Sequence, residues 1–295
     1  MTYYAFMGAL EQGFAYGFLV LGVYLTFRVL DFPDLTVDGS LPLGAAISAV
    51  AITAGIDPYV SLLLAMLAGF AAGAVTGILN TRFGILHLLA SILTMIALYS
   101  INLRVMGRPN MTLLGKATIL DPLTNAGIGM FNAAPLLFGL LSFVGLLALL
   151  WLLRTAFGLT MQATGANPQM ITSQGVATSR VIILTVGLSN SFAALSGALL
   201  CQSQGAADVN MGVGTIVAGL ASVIVGETLF GGRSIARSLF AALLGSIVYR
   251  LAIALALSFK LGQFSITPSD LNLLTALLVV AALTLPGLRR KVLRR

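Results

Sequence analysis

The chain has 295 residues, 58% of them hydrophobic and only 8% charged, where soluble domains carry roughly 45–50% and about 25%. Those proportions exclude a soluble enzyme or a nucleic-acid-binding domain and supply apolar residues for roughly eight or nine bilayer-spanning helices of about 20 residues each. The net charge of +7 is concentrated: Arg289, Arg290, Lys291, Arg294 and Arg295 crowd the tail, and with those five of the sixteen bases set aside eleven remain against nine acids. A basic cluster beyond a hydrophobic segment acts as a topogenic signal that keeps its end in the cytoplasm, with anionic lipid as the other reading.

The expected fold is all-α, a polytopic transmembrane helical bundle in a single domain, 1–295. Apolar runs broken by polar or Gly/Pro stretches mark nine segments, at about 5–27, 41–56, 59–80, 84–105, 135–153, 180–201, 213–230, 235–258 and 272–288. The second is short for a full span and reads as a half-helix or the continuation of a broken one. No base precedes Arg28 and the start carries Glu11, so it does not read as a secretory signal. With nine crossings and a cytoplasmic tail, the N-terminus lies outside. Arg28, Arg82, Arg154, Arg180, Arg233, Arg237 and the tail bases then face inward, against Arg104, Arg108, Lys116 and Lys260 outside. The lone Cys201, at the expected outer end of segment six, cannot form an internal disulfide.

Along the third segment, Gly69, Gly73 and Gly77 recur every four residues and place bare backbone on one helix face, the pattern of a tight helix crossing in lipid. Gly13 with Gly17, and Ala193 with Gly197, read the same way. Two connections exceed what a bundle needs. Residues 106–134, rich in Gly and Pro, are expected to form a short helix or re-entrant piece over the outer mouth. Residues 154–179 are polar and inside. There Asn167 can cap a helix that opens on Pro168, where no amide donor is needed, and Gly175 can take the left-handed turn that ends it. The sequence therefore predicts a two-turn cytoplasmic helix from Pro168 to Gln174.

Chemistry-bearing residues are sparse. Lys116 follows Gly115 without a phosphate-binding loop around it. His87 is the one histidine, and no His/Cys/Asp/Glu cluster has metal-ligand spacing, so no metal site is expected. Arg250, inside segment eight, either faces the bundle interior as a functional group or snorkels to an interface. Glu227, near Arg233, suggests a local ion pair or helix-end contact. In segment six, Ser189, Ala193 and Ser196 share a face with Asn190 beside it. Interhelical hydrogen bonds and a solute path both explain those polar residues.

These stretches carry a resemblance. Phe157-Gly158, Thr164-Gly165-Ala166-Asn167-Pro168 and Gln174-Gly175-Val176 resemble the coupling-helix region of ABC importer permeases of the branched-chain amino acid and ribose group. Asp34-Leu35-Thr36-Val37-Asp38-Gly39-Ser40 resembles that group's D-L-S-V-G segment, where a transmembrane helix is broken. Gly226 to Gly232 resembles its glycine-rich end of a late helix. The chain is most similar to the subgroup known as tryptophan/tyrosine permeases, and it departs from the sugar-type pattern at Asp38 and Glu227.

The resemblance implies a permease subunit in a prokaryotic inner membrane, with no enzymatic activity of its own. Its partners would be a second permease copy, a cytoplasmic ATPase that holds the ATP and Mg, and an extracytoplasmic solute-binding protein. It implies ATPase contact through Gly165, Ala166, Asn167, Pro168, Gln169, Met170, Ile171 and Gly175. The solute path would draw on Ser189, Asn190, Ser196 and Arg250. The expected solute is an aromatic or other amino acid, with a sugar or nucleoside as the alternative. A secondary carrier or channel is the rival class, and it would need an intramembrane acidic relay.

Overall fold

A computed structural model describes residues 3–125, 127, 129–232, 234–258, 260–261, 264–265 and 280. Among the described residues, six helices are long and apolar enough to cross a membrane: Tyr3–Val29, Pro58–Thr81, His87–Met106, Phe131–Arg154, Thr178–Gln204 and Ile235–Leu257. Two shorter apolar helices, Val37–Thr53 and Thr215–Phe230, join them. Together these match the first eight apolar segments. The ninth, 272–288, and the basic tail lie outside the described residues except for Val280.

In chain order the elements are α1 (Tyr3–Val23, continuing as a π-helical stretch Tyr24–Val29), α2 (Val37–Thr53), α3 (Pro58–Thr81), α4 (His87–Met106), β1 (Asn110–Thr112), α5 (Asp121–Asn125) and α6 (Met130–Arg154). Then come α7 (Ala156–Ala166), α8 (Pro168–Ser173), α9 (Thr178–Gln204), β2 (Ala206–Asp208), α10 (Thr215–Phe230) and α11 (Ile235–Ser258). Local chemistry sets the boundaries. Asp57 caps α3 by accepting the Tyr59 amide at 2.8 Å, with Pro58 in the first turn where a missing donor costs nothing.

α9 is the most deeply buried of the six long helices, with α1, α2 and α3 packed around it. Small residues let those backbones meet. A methyl at Gly69 or Gly73 would overlap the carbonyls of Asn190 or Val186 on α9, and one at Gly77 would meet Ile183. Gly44 on α2 fits against Ala194, and Gly197 on α9 fits against the Leu41 carbonyl. Lipid tails are as apolar as leucine, so such backbone contact supplies the dispersion energy that holds helices together there. α4 and α6 instead present Leu93, Tyr99, Leu140 and Trp151 outward, as lipid-facing helices do.

α2 and α10 are short because both start part-way through the bundle. Ser40 on α2 reaches Asn190, halfway along α9, and Ser48 further along α2 reaches Gln202 near the end of α9. α10 begins beside Asp38 and runs the other way, until Glu227 meets Arg28 at the end of α1. The two helices thus diverge from a shared starting level, each covering part of the depth. α2 starts at Val37, four residues before the segment read from hydropathy, and carries Pro42 within it. The carbonyl of Asp38, which Pro42 cannot bond, faces the bare backbone of Gly212.

The connections correct the sequence reading in two places. Residues 106–134 do hold a short helix, α5, but β1 also pairs antiparallel with β2, with Met111 opposite Ala207. Residues 154–179 are helical over most of their length. α7 precedes the expected helix, started by the Thr155 hydroxyl, which accepts the Gly158 amide at 3.3 Å.

Candidate functional site

Two regions concentrate polar groups. The first is a buried cluster where α1, α2, α3 and α9 meet. The chain leaves α1 through Asp31 (φ 54), a conformation Asp tolerates, and turns back into the bundle. There Asp34 Oδ1 accepts the Thr36 amide at 2.9 Å, and its Oδ2 accepts Asn190 Nδ2 at 2.7 Å. Asn190 also donates to the Val186 carbonyl and accepts from Ser40 Oγ at 2.7 Å. Thr36 and Thr76 share a 2.8 Å hydroxyl bond, and Ser189 Oγ donates to the Gly22 carbonyl. Asn102 on α4 closes the set by donating to the Gly39 carbonyl.

Asp38 stands at the edge of this cluster. Its carboxylate accepts the Gly214 and Ile216 amides at 3.1 and 2.7 Å and the Thr215 hydroxyl at 2.9 Å. A negative charge over the first turn of α10 satisfies amides that have no partner inside the helix and complements its dipole. Asp34 instead accepts a single amide, that of Thr36, which immediately precedes α2.

Of the residues read as a solute path, Ser189 and Asn190 are fully buried and bonded within the subunit, and Ser196 is fully buried as well. Arg250 lies over the ring of Tyr16, 3.6 Å from its centroid, which turns it toward α1. Arg233, with which a local pairing is expected, lies outside the described residues, and Glu227 is bonded to Arg28 at the end of α1. That pairing links sites 199 residues apart, and no local pattern announces it. His87 packs against Phe32 at 4.6 Å between ring centroids. Cys201 is fully buried against α2 and β2 neighbours. Sequence reasoning also missed Gln202, which donates to Ser48, Ser61 and the Pro58 carbonyl and accepts the Ile119 amide.

The second region is the helical elbow between α6 and α9. Asn167 ends α7 and starts α8 at once, accepting the Met170 amide on its side chain at 3.0 Å. Pro168 fills the first turn. α8 spans Pro168–Ser173, one residue shorter than predicted, and Gly175 follows with φ 84, a backbone region that disfavours a side chain. Gln169, Met170 and Gly175 are exposed, Ile171 is half-buried, and Met170 is 55% exposed despite its apolar side chain. Gly165, in the last turn of α7, sits so close to the Val29 carbonyl and Leu30 that a methyl would overlap them. Ala166 completes that turn.

Comparisons with known proteins span most of the chain. Residues 6–285 match the family described as the permease component of branched-chain amino acid transport systems. The chain is 41% identical to the tyrosine transport system permease protein of Clostridioides difficile (strain R20291), over 94% of its own length and 90% of that protein's. It is 28% identical to the ribose import permease protein of Bacillus subtilis (strain 168), over 77% and 70% of the two lengths. A solved ABC transporter in an inward-facing conformation, described as of the metal-chelate type, superposes with a TM-score of 0.51 at 19% identity, covering 96% of this chain and 86% of the other. At that identity the likeness speaks for the fold.

Proposed function

This chain belongs to the branched-chain amino acid transport system permease family, and on that footing we propose that it is the membrane subunit of a binding-protein-dependent importer for an amino acid with an aromatic side chain. The family makes it a multi-pass permease of an ABC transporter, which works with an ATPase partner and a second permease subunit. The finer reading adds three things: two copies of this chain form the pore, an extracytoplasmic binding protein delivers the solute, and the N-terminus lies outside with the basic tail in the cytoplasm.

The observation that carries the coupling role is α8. It is a short helix capped at both ends, held between the two long helices α6 and α9, with Met170 projecting from it. Fixed ends mean that force on the helix displaces its neighbours before it frays the helix. Gln169, Met170 and Ile171 supply an apolar side chain within a polar rim, suited to a groove on the ATPase. The amino acid reading is supported by 41% identity to a tyrosine permease against 28% to a ribose permease. Asp34 and Asp38 do not form a relay here, because helix starts and Asn190 occupy their oxygens, which favours an ATP-driven importer over an ion-coupled carrier. Titration calorimetry on the cognate binding protein tests the substrate: tyrosine or tryptophan should bind tightly. Tight binding of ribose with no response to either amino acid would contradict it.

A further inference from the structure

We propose that Arg28 and Glu227 are positioning residues for transport, forming the joint that carries movement of the α7–α8 elbow into α10; the proposal rests on the reading of α8 as the ATPase-docking helix. Arg28 grips Glu227 with two parallel bonds, Nη2 to Oε2 at 2.6 Å and Nε to Oε1 at 3.0 Å. It is the only ion pair among the described residues. A two-point fork fixes direction as well as distance, so a rotation of one helix end turns the other. The Glu227 side chain is 15% exposed and the Arg28 side chain 54%, so the pair sits at the margin of the bundle with its carboxylate on the inner side.

The segment that bears Arg28 is built to shift. Tyr24–Val29 is π-helical, with the Leu30 amide bonded to the Leu25 carbonyl and the Phe32 amide to that of Thr26. A π turn holds one residue more than an α turn, so its bonds can change register without the helix coming apart. The elbow presses on this same segment. Gly165 of α7 lies in backbone contact with Val29 and Leu30, and α7 is joined to α8 through Asn167 alone.

A continuous mechanical line therefore runs from α8 through α7 to Val29, Arg28 and Glu227. It ends in α10, whose far end is held by Asp38. α10 covers part of the depth only, so a push at Glu227 tilts it about the Asp38 anchor. Neither Arg28 nor Glu227 touches the buried polar cluster or lies on α8.

The test uses the full complex, with its ATPase and binding protein, in proteoliposomes, and reads solute moved per ATP hydrolysed. Arg28→Glu and Glu227→Arg should each assemble yet lower that ratio at least about tenfold. The double exchange should restore it to within about threefold of wild type. Gly165→Ala, which changes neither member of the ion pair but crowds Val29 beside it, should also lower the ratio. If a reversal fails to assemble, Arg28→Lys and Glu227→Gln serve in its place, and an unchanged ratio in both overturns the joint. Single reversals that transport per ATP like wild type, or a double exchange as uncoupled as either single, overturn it too. Cysteines on α8 separate the two claims. Crosslinking of α8 to the ATPase with normal coupling in the variants removes the joint alone, whereas no crosslink removes the docking reading and the joint with it.

Discussion

Asp34 and Asn190 stand 156 residues apart in the chain and 2.7 Å apart in the bundle, carboxylate to amide, at the middle of α9. That bond fixes where the chain turns back after α1, and so where α2 begins. Asn190→Leu keeps the volume but leaves the buried Asp34 carboxylate and Ser40 hydroxyl short of a partner. Loss of a bond to a charged group costs about 1.5–3 kcal/mol. The thermal unfolding midpoint of the purified protein in detergent should fall accordingly, and Asp34→Asn, whose single amide oxygen can accept from only one of the Thr36 and Asn190 donors, should lower it as well.

Asp38 makes a narrower prediction. Asp38→Ala removes three acceptor contacts from the start of α10 at once. A lost N-terminal cap costs about 0.5–2 kcal/mol, and amide exchange at Gly214 to Ala218 should speed up while the α9 interior stays protected. Uniform exchange along both helices would contradict the local role.

The glycine face of α3 is less forgiving. Gly73→Val would drive side-chain atoms into the Val186 carbonyl and the Asn190 side chain. Overpacking of this kind typically costs about 1–3 kcal/mol, and here it also splays two backbones. The variant should give little folded protein by gel filtration, while a valine at Gly8, which has open space around it, should behave like wild type.

Cys201 offers a folding probe without any mutation, since it is the single cysteine and is fully buried. A membrane-impermeant thiol reagent should leave the native protein unlabelled from either side. Labelling should appear together with the main unfolding transition. Rapid labelling of the native protein would contradict the packing of α9 against α2.

How much of this was legible in the sequence follows from which interactions are local. The α8 helix was readable because its cap, its proline and its terminating glycine fall within nine residues, 167–175. The Gly69, Gly73 and Gly77 face was readable because it repeats with the helix. α7 was missed because Thr155 was read as part of a polar loop, although its capping position one residue after Arg154 was the available signal. The start of α2 was misplaced because Val37 to Ser40 look polar, and their burial depends on Asn190, which lies far along the chain. β1–β2 pairing and the Arg28–Glu227 fork are long-range, and nothing near either partner encodes them.

Asn167→Ala removes the side-chain acceptor of the Met170 amide, at a cost of about 0.5–2 kcal/mol, and Gly175→Val strains the turn at φ 84. Both should leave the complex assembled and lower the stimulation of ATP hydrolysis by the binding protein. Met170→Glu, which places a charge on the exposed apolar contact, should lower it further.

The central claim, that this permease is driven through α8, is tested most directly by crosslinking. In a Cys201→Ser background, a single cysteine at Gln169, Met170 or Ile171 is introduced and the complex is treated with a short bifunctional thiol reagent. Crosslinks to the ATPase are expected at one or more of these positions and none to the binding protein. Crosslinks to the binding protein, or none to the ATPase from any of the three in an actively transporting complex, would contradict that claim.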